Sequence, residues 1–231
     1  MNNYFIYYIG IAALVFVIYT LSKKYTKSLS ANATASMEKT YARHANNSNE
    51  LIQSILQDKE WFAPIKEKLE GETIVGITEC LPIKSMGDWL KKAAANEAGR
   101  TLGKITGVRI TQVEAPYSYY LVLSQNHLHY MAYEKGICKE HLYFDVTTLQ
   151  DIQWREATYK DVLVYEGMAT SGSCKKLSFH SNNKDYALLV HNFIVRNPNQ
   201  EFADNEMANL QLYALRKAFE QQLGKQALSY V

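Results

Sequence analysis

Nothing in this sequence supplies a disulfide framework. It holds three cysteines, Cys80, Cys138 and Cys174, and so odd and sparse a set reads as reduced thiols packed in an interior. A Cys138–Cys174 bridge would need an oxidising compartment. Charge of one sign is missing too. The net charge is +2 and the lysines are spread along the chain, which excludes the basic footprint of a nucleic-acid binder. The phosphate-cradling P-loop, a GxGxxG turn after a strand, the GxSxG nucleophile elbow and the zinc-binding HExxH do not occur in the sequence. No enzyme and no cofactor are expected on that basis.

What is present is a foldable chain. Hydrophobic residues make up 47% and charged residues 21% of its 231 positions, a balance that suits a packed protein. At about 150 residues per domain, the length allows one domain plus extras. One long apolar run stands out. From Tyr4 to Leu21 no residue is charged, and about 20 apolar residues suffice to cross a bilayer. Tyr4, Tyr7 and Tyr8 sit near one end and Tyr19 near the other, where aromatic rings favour the interface. Lys23, Lys24 and Lys27 follow directly. Residues 1–22 are therefore expected to be a transmembrane anchor, single-pass in the cell membrane, with the N-terminus outside and the C-terminal domain cytoplasmic. The competing reading is a cleaved signal peptide with Ala31, Ala33 and Ala35 near its cleavage site, but such peptides open on positive charge.

Residues 23–36 are small and polar and read as a juxtamembrane linker. Residues 37–71 read as a helical region, with Leu51, Ile52, Ile55 and Leu56 at helical spacing. A second short helix holds Trp61, Phe62, Ile65 and Leu69, with Pro64 in its first turn and Gly71 beyond its end. The period then changes, and Thr73–Thr78 reads as a strand. Residues 84–105 return to helical composition. Within them Ala95, Gly99 and Gly103 fall four apart, a spacing that lets a helix approach another backbone closely. That face serves either self-association and membrane contact or tight packing on its own sheet.

Strands are expected at Val108–Val113, Ser118–Ser124, Leu128–Tyr133, His141–Asp145, Leu149–Trp154, Asp161–Tyr165 and Lys176–His180. All are rich in β-branched or aromatic residues, and turn signals such as Lys135-Gly136 separate them. Short, regular strands of this kind argue for an antiparallel barrel or sandwich. Beyond them, Asn182 or Asn183 reads as the cap of an amphipathic helix from Lys184, with Tyr186, Leu189, Val190, Phe193 and Ile194 on one stripe. A last helix is expected over Glu201–Leu223, ended by Gly224.

The order of elements resembles the pleckstrin-homology (PH) superfold, seven or so antiparallel strands closed by one amphipathic helix. Leu121-Val122-Leu123, the polar Ser124-Gln125-Asn126-His127 and then Leu128-His129-Tyr130 resemble the bacterial PH-like and GRAM-like pattern, as does the opening Gly71-Glu72-Thr73-Ile74-Val75-Gly76. The resemblance covers residues 72–196 and implies an α+β protein. Its parts would be the N-terminal transmembrane helix, a helical region, a PH-like antiparallel β-barrel with a helical insertion at 84–105 and a capping helix, and a C-terminal helix in 197–231. It also implies a non-catalytic interaction module, here binding a protein or peptide partner near the inner face of the membrane. The alternative is an anionic-lipid-binding domain in which Lys84, Lys91, Lys92, Arg100 and Lys104 face the headgroups.

Two constellations bear on chemistry. His127 and His129 lie two apart, so on a strand they share a face, and with His141 or Cys138 they could hold a metal. The plain alternative is one surface and one half-buried histidine at a hairpin. Cys174, beside Lys175 and Lys176, could act as a nucleophile with His180 as its base. The tyrosines Tyr117, Tyr119, Tyr120, Tyr130, Tyr133 and Tyr143 crowd the strand region, either as an aromatic binding face or because tyrosine suits half-buried strands.

Overall fold

The computed structural model describes residues 31–58, 60–82, 117–158, 174–194, 196–199, 201–203 and 205–229, together with Leu14, Val17 and Asp161. Four described helices are named here: α1 (residues 31–43), α2 (Ser48–Gln57), α3 (Ala63–Lys68) and α4 (Glu206–Ser229). Among the described residues seven strands lie between α3 and α4. They are β1 (Ile74–Pro82), β2 (Ser118–Ser124), β3 (His127–Glu134), β4 (Ile137–Asp145), β5 (Gln150–Glu156), β6 (Cys174–Ser181) and β7 (Lys184–His191).

Local chemistry accounts for the boundaries. Pro64 enters α3 in its first turn, where its missing N–H costs nothing. Glu70 and Gly71 then take positive φ, 50° and 95°, and the chain turns into β1. Lys135 and Gly136, at φ 48° and 79°, form the two-residue turn between β3 and β4, a geometry matched to the twist of antiparallel strands.

All seven strands form one antiparallel sheet in the order β4-β3-β2-β1-β7-β6-β5. The barrel expected from the sequence is corrected. β4 and β5 are the two ends of an open sheet and share no ladder, although the 3-10 turn Val146–Thr148 joins them at one corner. Asp151, at φ 53°, interrupts the β5–β6 register near the start of β5.

The amphipathic capping helix from Lys184 is also corrected, because the segment is β7. Asn182 and Asn183 sit at φ 51° and 59° as the turn between β6 and β7, not as a helix cap. Asparagine tolerates that conformation better than most residues. Leu188, Leu189 and Val190 are all buried, since β7 is covered on both faces, and a short continuous apolar run carries no period to tell strand from helix. The helix that does cover the sheet is α4. It starts at Glu206 rather than Glu201 and runs through Gly224.

Both faces of β2 and β3 are buried, which explains their nearly unbroken apolar sequence. On one face Leu121, Leu123, Leu128, Phe144, Leu177 and Val190 pack with Phe219 and Leu223 of α4. On the other, Tyr120, Val122, Met131 and Tyr133 pack with Ile55 of α2, Ile65 of α3 and Leu212 and Leu215 of α4. Two buried tyrosines pin the second layer. Tyr120 Oη donates to Arg196 O at 2.7 Å, and Tyr133 Oη donates to Pro64 O at 2.9 Å. Burial pushes the Tyr133 phenol well above its usual range. Tyr133→Phe removes the neutral hydrogen bond that ties β3 to the first turn of α3. It should lower unfolding free energy by about 1 kcal/mol, read by urea denaturation, and an unchanged midpoint would contradict the assignment.

Among the described residues no helix is long and apolar enough to cross a membrane. The longest, α4, carries Glu206, Arg216, Lys217, Glu220 and Lys225, and charges at a bilayer centre are strongly disfavoured. This finding goes against the single-pass anchor and the cell-membrane location expected from the sequence. Of the run from Tyr4 to Leu21, only Leu14 and Val17 are among the described residues, and the flanking Lys23, Lys24 and Lys27 lie outside them.

Candidate functional site

Antiparallel pairing brings distant residues together at one end of β1, β2 and β3. Ile74 of β1 pairs with Ser124 at the end of β2, so Glu72, two residues earlier, stands beside the Ser124–His127 turn. Ser124 Oγ accepts the His127 backbone N–H at 3.0 Å and donates to Glu72 Oε2. His127 Nδ1 lies 3.0 Å from Glu72 Oε1, and His129 Nε2 lies 3.4 Å from Glu72 Oε2. Behind His129, on the side away from the carboxylate, His141 Nε2 is 3.0 Å from His129 Nδ1. Tyr143 lies edge-on to His127, with ring centroids 5.5 Å apart.

Electrostatics set the protonation states. Burial is the largest influence on His129 and lowers its pKa, and Glu72 only partly restores it. Burial also lowers His141, helped by the nearby Lys68 charge. For Glu72 burial acts upward, but hydrogen bonds from Ser124 and His127 outweigh it and hold the carboxyl below its ordinary value. Near neutral pH the cluster is therefore a carboxylate facing an uncharged His129.

Strand alternation placed His127 and His129 on one face, as the sequence implied, and the β3–β4 register adds His141 from the neighbouring strand. Cys138 does not join them. It pairs with Tyr133 near the other end of the hairpin, and its Sγ reaches Glu140 O at 3.4 Å. Glu72 escaped the sequence reading because it lies 55 residues before His127, and only the β1–β2 register brings it near. The Cys174–His180 pairing also fails. The Cys174 sulfur lies 3.5 Å from His191 Nδ1, its side chain has no solvent access, and His180 binds Asp185 at 2.9 Å. Lys84, Lys91, Lys92, Arg100, Lys104, Ala95, Gly99 and Gly103 lie outside the described residues.

A second feature lies between β4 and the β6–β7 hairpin. A cleft of about 410 Å³ is lined by Tyr119, Tyr130, Phe144, Phe179 and Tyr186, with the carboxylates of Glu140 and Asp185. Phe179 and Tyr186 stack at 5.2 Å, and Phe144 meets Tyr186 edge-on at 4.8 Å. The tyrosines thus divide. Tyr120 and Tyr133 are core residues, Tyr119 and Tyr130 line the cleft, and Tyr143 is exposed.

No protein-family model matches this chain, and no curated protein sequence does. Among solved structures it is similar to the hSac2 domain of the human phosphoinositide phosphatase Sac2. The match is 12% identical, covers 79% of this chain and 85% of that one, and has a TM-score of 0.36. A superposition that loose carries no argument about fold or activity.

Proposed function

We propose that this protein is a non-catalytic binding module that takes an extended polypeptide segment of a partner protein along β4. One observation carries the reading. Among the described residues β4 is an end strand of nine residues, and it exposes Ile137, Leu142 and Tyr143 at 60%, 43% and 65%. Proteins ordinarily blunt such an edge, because its unpaired N–H and C=O groups recruit other strands. Here the edge adjoins the aromatic cleft. A peptide added to β4 would gain backbone hydrogen bonds from the edge, and its alternate side chains would enter the cleft.

Charge favours a polypeptide over the anionic-lipid alternative. Glu140 and Asp185 in the cleft oppose a phosphate headgroup and suit a lysine or arginine between apolar residues. The full chain, used to select from a random peptide display library, should therefore retain sequences of alternating apolar residues with a basic one. Those peptides should slow amide exchange in β4 and bind Leu142→Asp at least about tenfold more weakly, a difference of about 1.4 kcal/mol. Peptides that protect another surface would overturn the proposal. So would the absence of selection combined with binding to phosphatidylserine vesicles.

A further inference from the structure

We propose that Glu72, His127 and His129 bind one divalent transition ion of the zinc class, with His141 as the positioning residue that fixes His129 in its ligating form. Three ligand atoms, one carboxylate oxygen and two imidazole nitrogens, lie within 4.8 Å of one another. Their spacing fits an ion. With bonds of about 2.1 Å, neighbouring ligands stand roughly 3.0 Å apart around an octahedral ion and roughly 3.4 Å apart around a tetrahedral one. His127 Nδ1 is 3.0 Å from Oε1 of Glu72 and His129 Nε2 is 3.4 Å from its Oε2, so each histidine stands at ligand spacing from a different oxygen of the one carboxylate. A set of two imidazoles and one carboxylate selects zinc and its first-row neighbours over calcium or magnesium, which prefer all-oxygen shells.

The surroundings brace these ligands. A histidine that ligates through Nε2 holds its proton on Nδ1 and needs an acceptor there. His141 Nε2 stands in that place, 3.0 Å from His129 Nδ1. Ser124 fixes one oxygen of the carboxylate. The His129 side chain is 4% exposed, whereas those of His127 and Glu72 are 29% and 31% exposed. The ion would therefore be anchored on the buried side and open toward solvent, where water completes its coordination. Loading would also fasten the α3–β1 connection, through Glu72, to the β2–β3 turn.

The proposal is tested with cobalt(II) and zinc(II) on the full chain after chelator treatment. One equivalent of cobalt should bind and give visible d–d absorption, and zinc should displace it. Zinc should perturb the ring signals of His127 and His129 in NMR spectra, a readout that needs no variant. Glu72→Gln and His127→Asn should each weaken zinc binding at least about tenfold. His141→Ala should weaken it about 10–100-fold with the stoichiometry unchanged. His141→Gln should restore most of that loss, because its amide oxygen accepts the same proton. Metal-free circular dichroism checks that each variant is folded, and His180→Ala should bind as the unaltered chain does. Failure to bind a stoichiometric ion overturns the proposal. Binding that survives both Glu72→Gln and His127→Asn overturns it too, as do ring shifts confined to His44, His180 or His191.

Discussion

Gly76→Ala should destabilise this protein by several kcal/mol, the cost of forcing a methyl into the backbone of α4. Gly76 lies in β1, which is paired on both sides, to β2 and β7. A Cβ at this position would lie 2.4 Å from Phe219 N, 2.5 Å from Phe219 Cα and 2.7 Å from Phe219 Cβ. Real Cβ contacts do not come so close, and the first two atoms are helix backbone, which no rotamer change can move. Either α4 lifts from the sheet or β1 pulls away from β2 at Gly76, which pairs with Leu123. Lifting α4 withdraws Phe219 and Leu223 from one core layer and Leu212 and Leu215 from the other. Overpacking typically costs 1–3 kcal/mol, and a backbone-to-backbone clash belongs at or above the top of that range. With about 2–4 °C lost per kcal/mol for a chain of this size, the melting temperature should fall by roughly 6–12 °C. Phe219→Ala should not rescue it, since the offending atoms remain. A melting temperature within about 2 °C of the parent would refute the close approach of α4 to β1.

The second large effect concerns the charges beneath α4. Arg216 is 3% exposed, donates from Nε to His191 O and from Nη1 to Glu220, and has no hydrogen-bond partner for Nη2 among the described residues. Glu220 also accepts from Lys175 of β6. Burial acts to raise the Glu220 carboxyl, but Arg216 and Lys175 outweigh it and hold the group below its ordinary value. The sign follows from linkage. A depressed carboxylate contributes stability that is fully present above its unfolded pKa of about 4.3 and is lost as pH falls through the folded value. Glu220→Gln should therefore lower unfolding free energy by about 2–3 kcal/mol at pH 7, less than the 3–5 typical of a fully buried pair because the carboxylate is 21% exposed. It should also flatten the decline in stability below about pH 5. Urea unfolding of both proteins between pH 3 and 7 decides it. Parallel curves offset by nothing would mean that Arg216 finds its counter-charge elsewhere.

Parts of both core layers were readable from side-chain type alone. β2 occupies the residues that its β-branched and aromatic content marked, Ser118–Ser124. Lys135-Gly136 is the turn its composition implied, because glycine takes positive φ without strain. His127 and His129 shared a face because strand alternation permits nothing else. Local chemistry was ambiguous at Asn182-Asn183, where asparagine serves equally as helix cap and as hairpin turn. The apolar run after it would bury itself in either structure.

Sequence by itself determined where most described strands lie, which way their side chains alternate, and that two histidines would stand together. Those features depend on neighbours along the chain, whose effects are local. Only the tertiary structure decided that the sheet stays open, that α4 rather than the segment after Lys184 covers it, and that Glu72 meets His127 and His129. Each of these rests on pairing between residues far apart in sequence. Register across β1–β2 and β3–β4 is fixed by which faces the whole fold buries, and no short window of the chain contains that information.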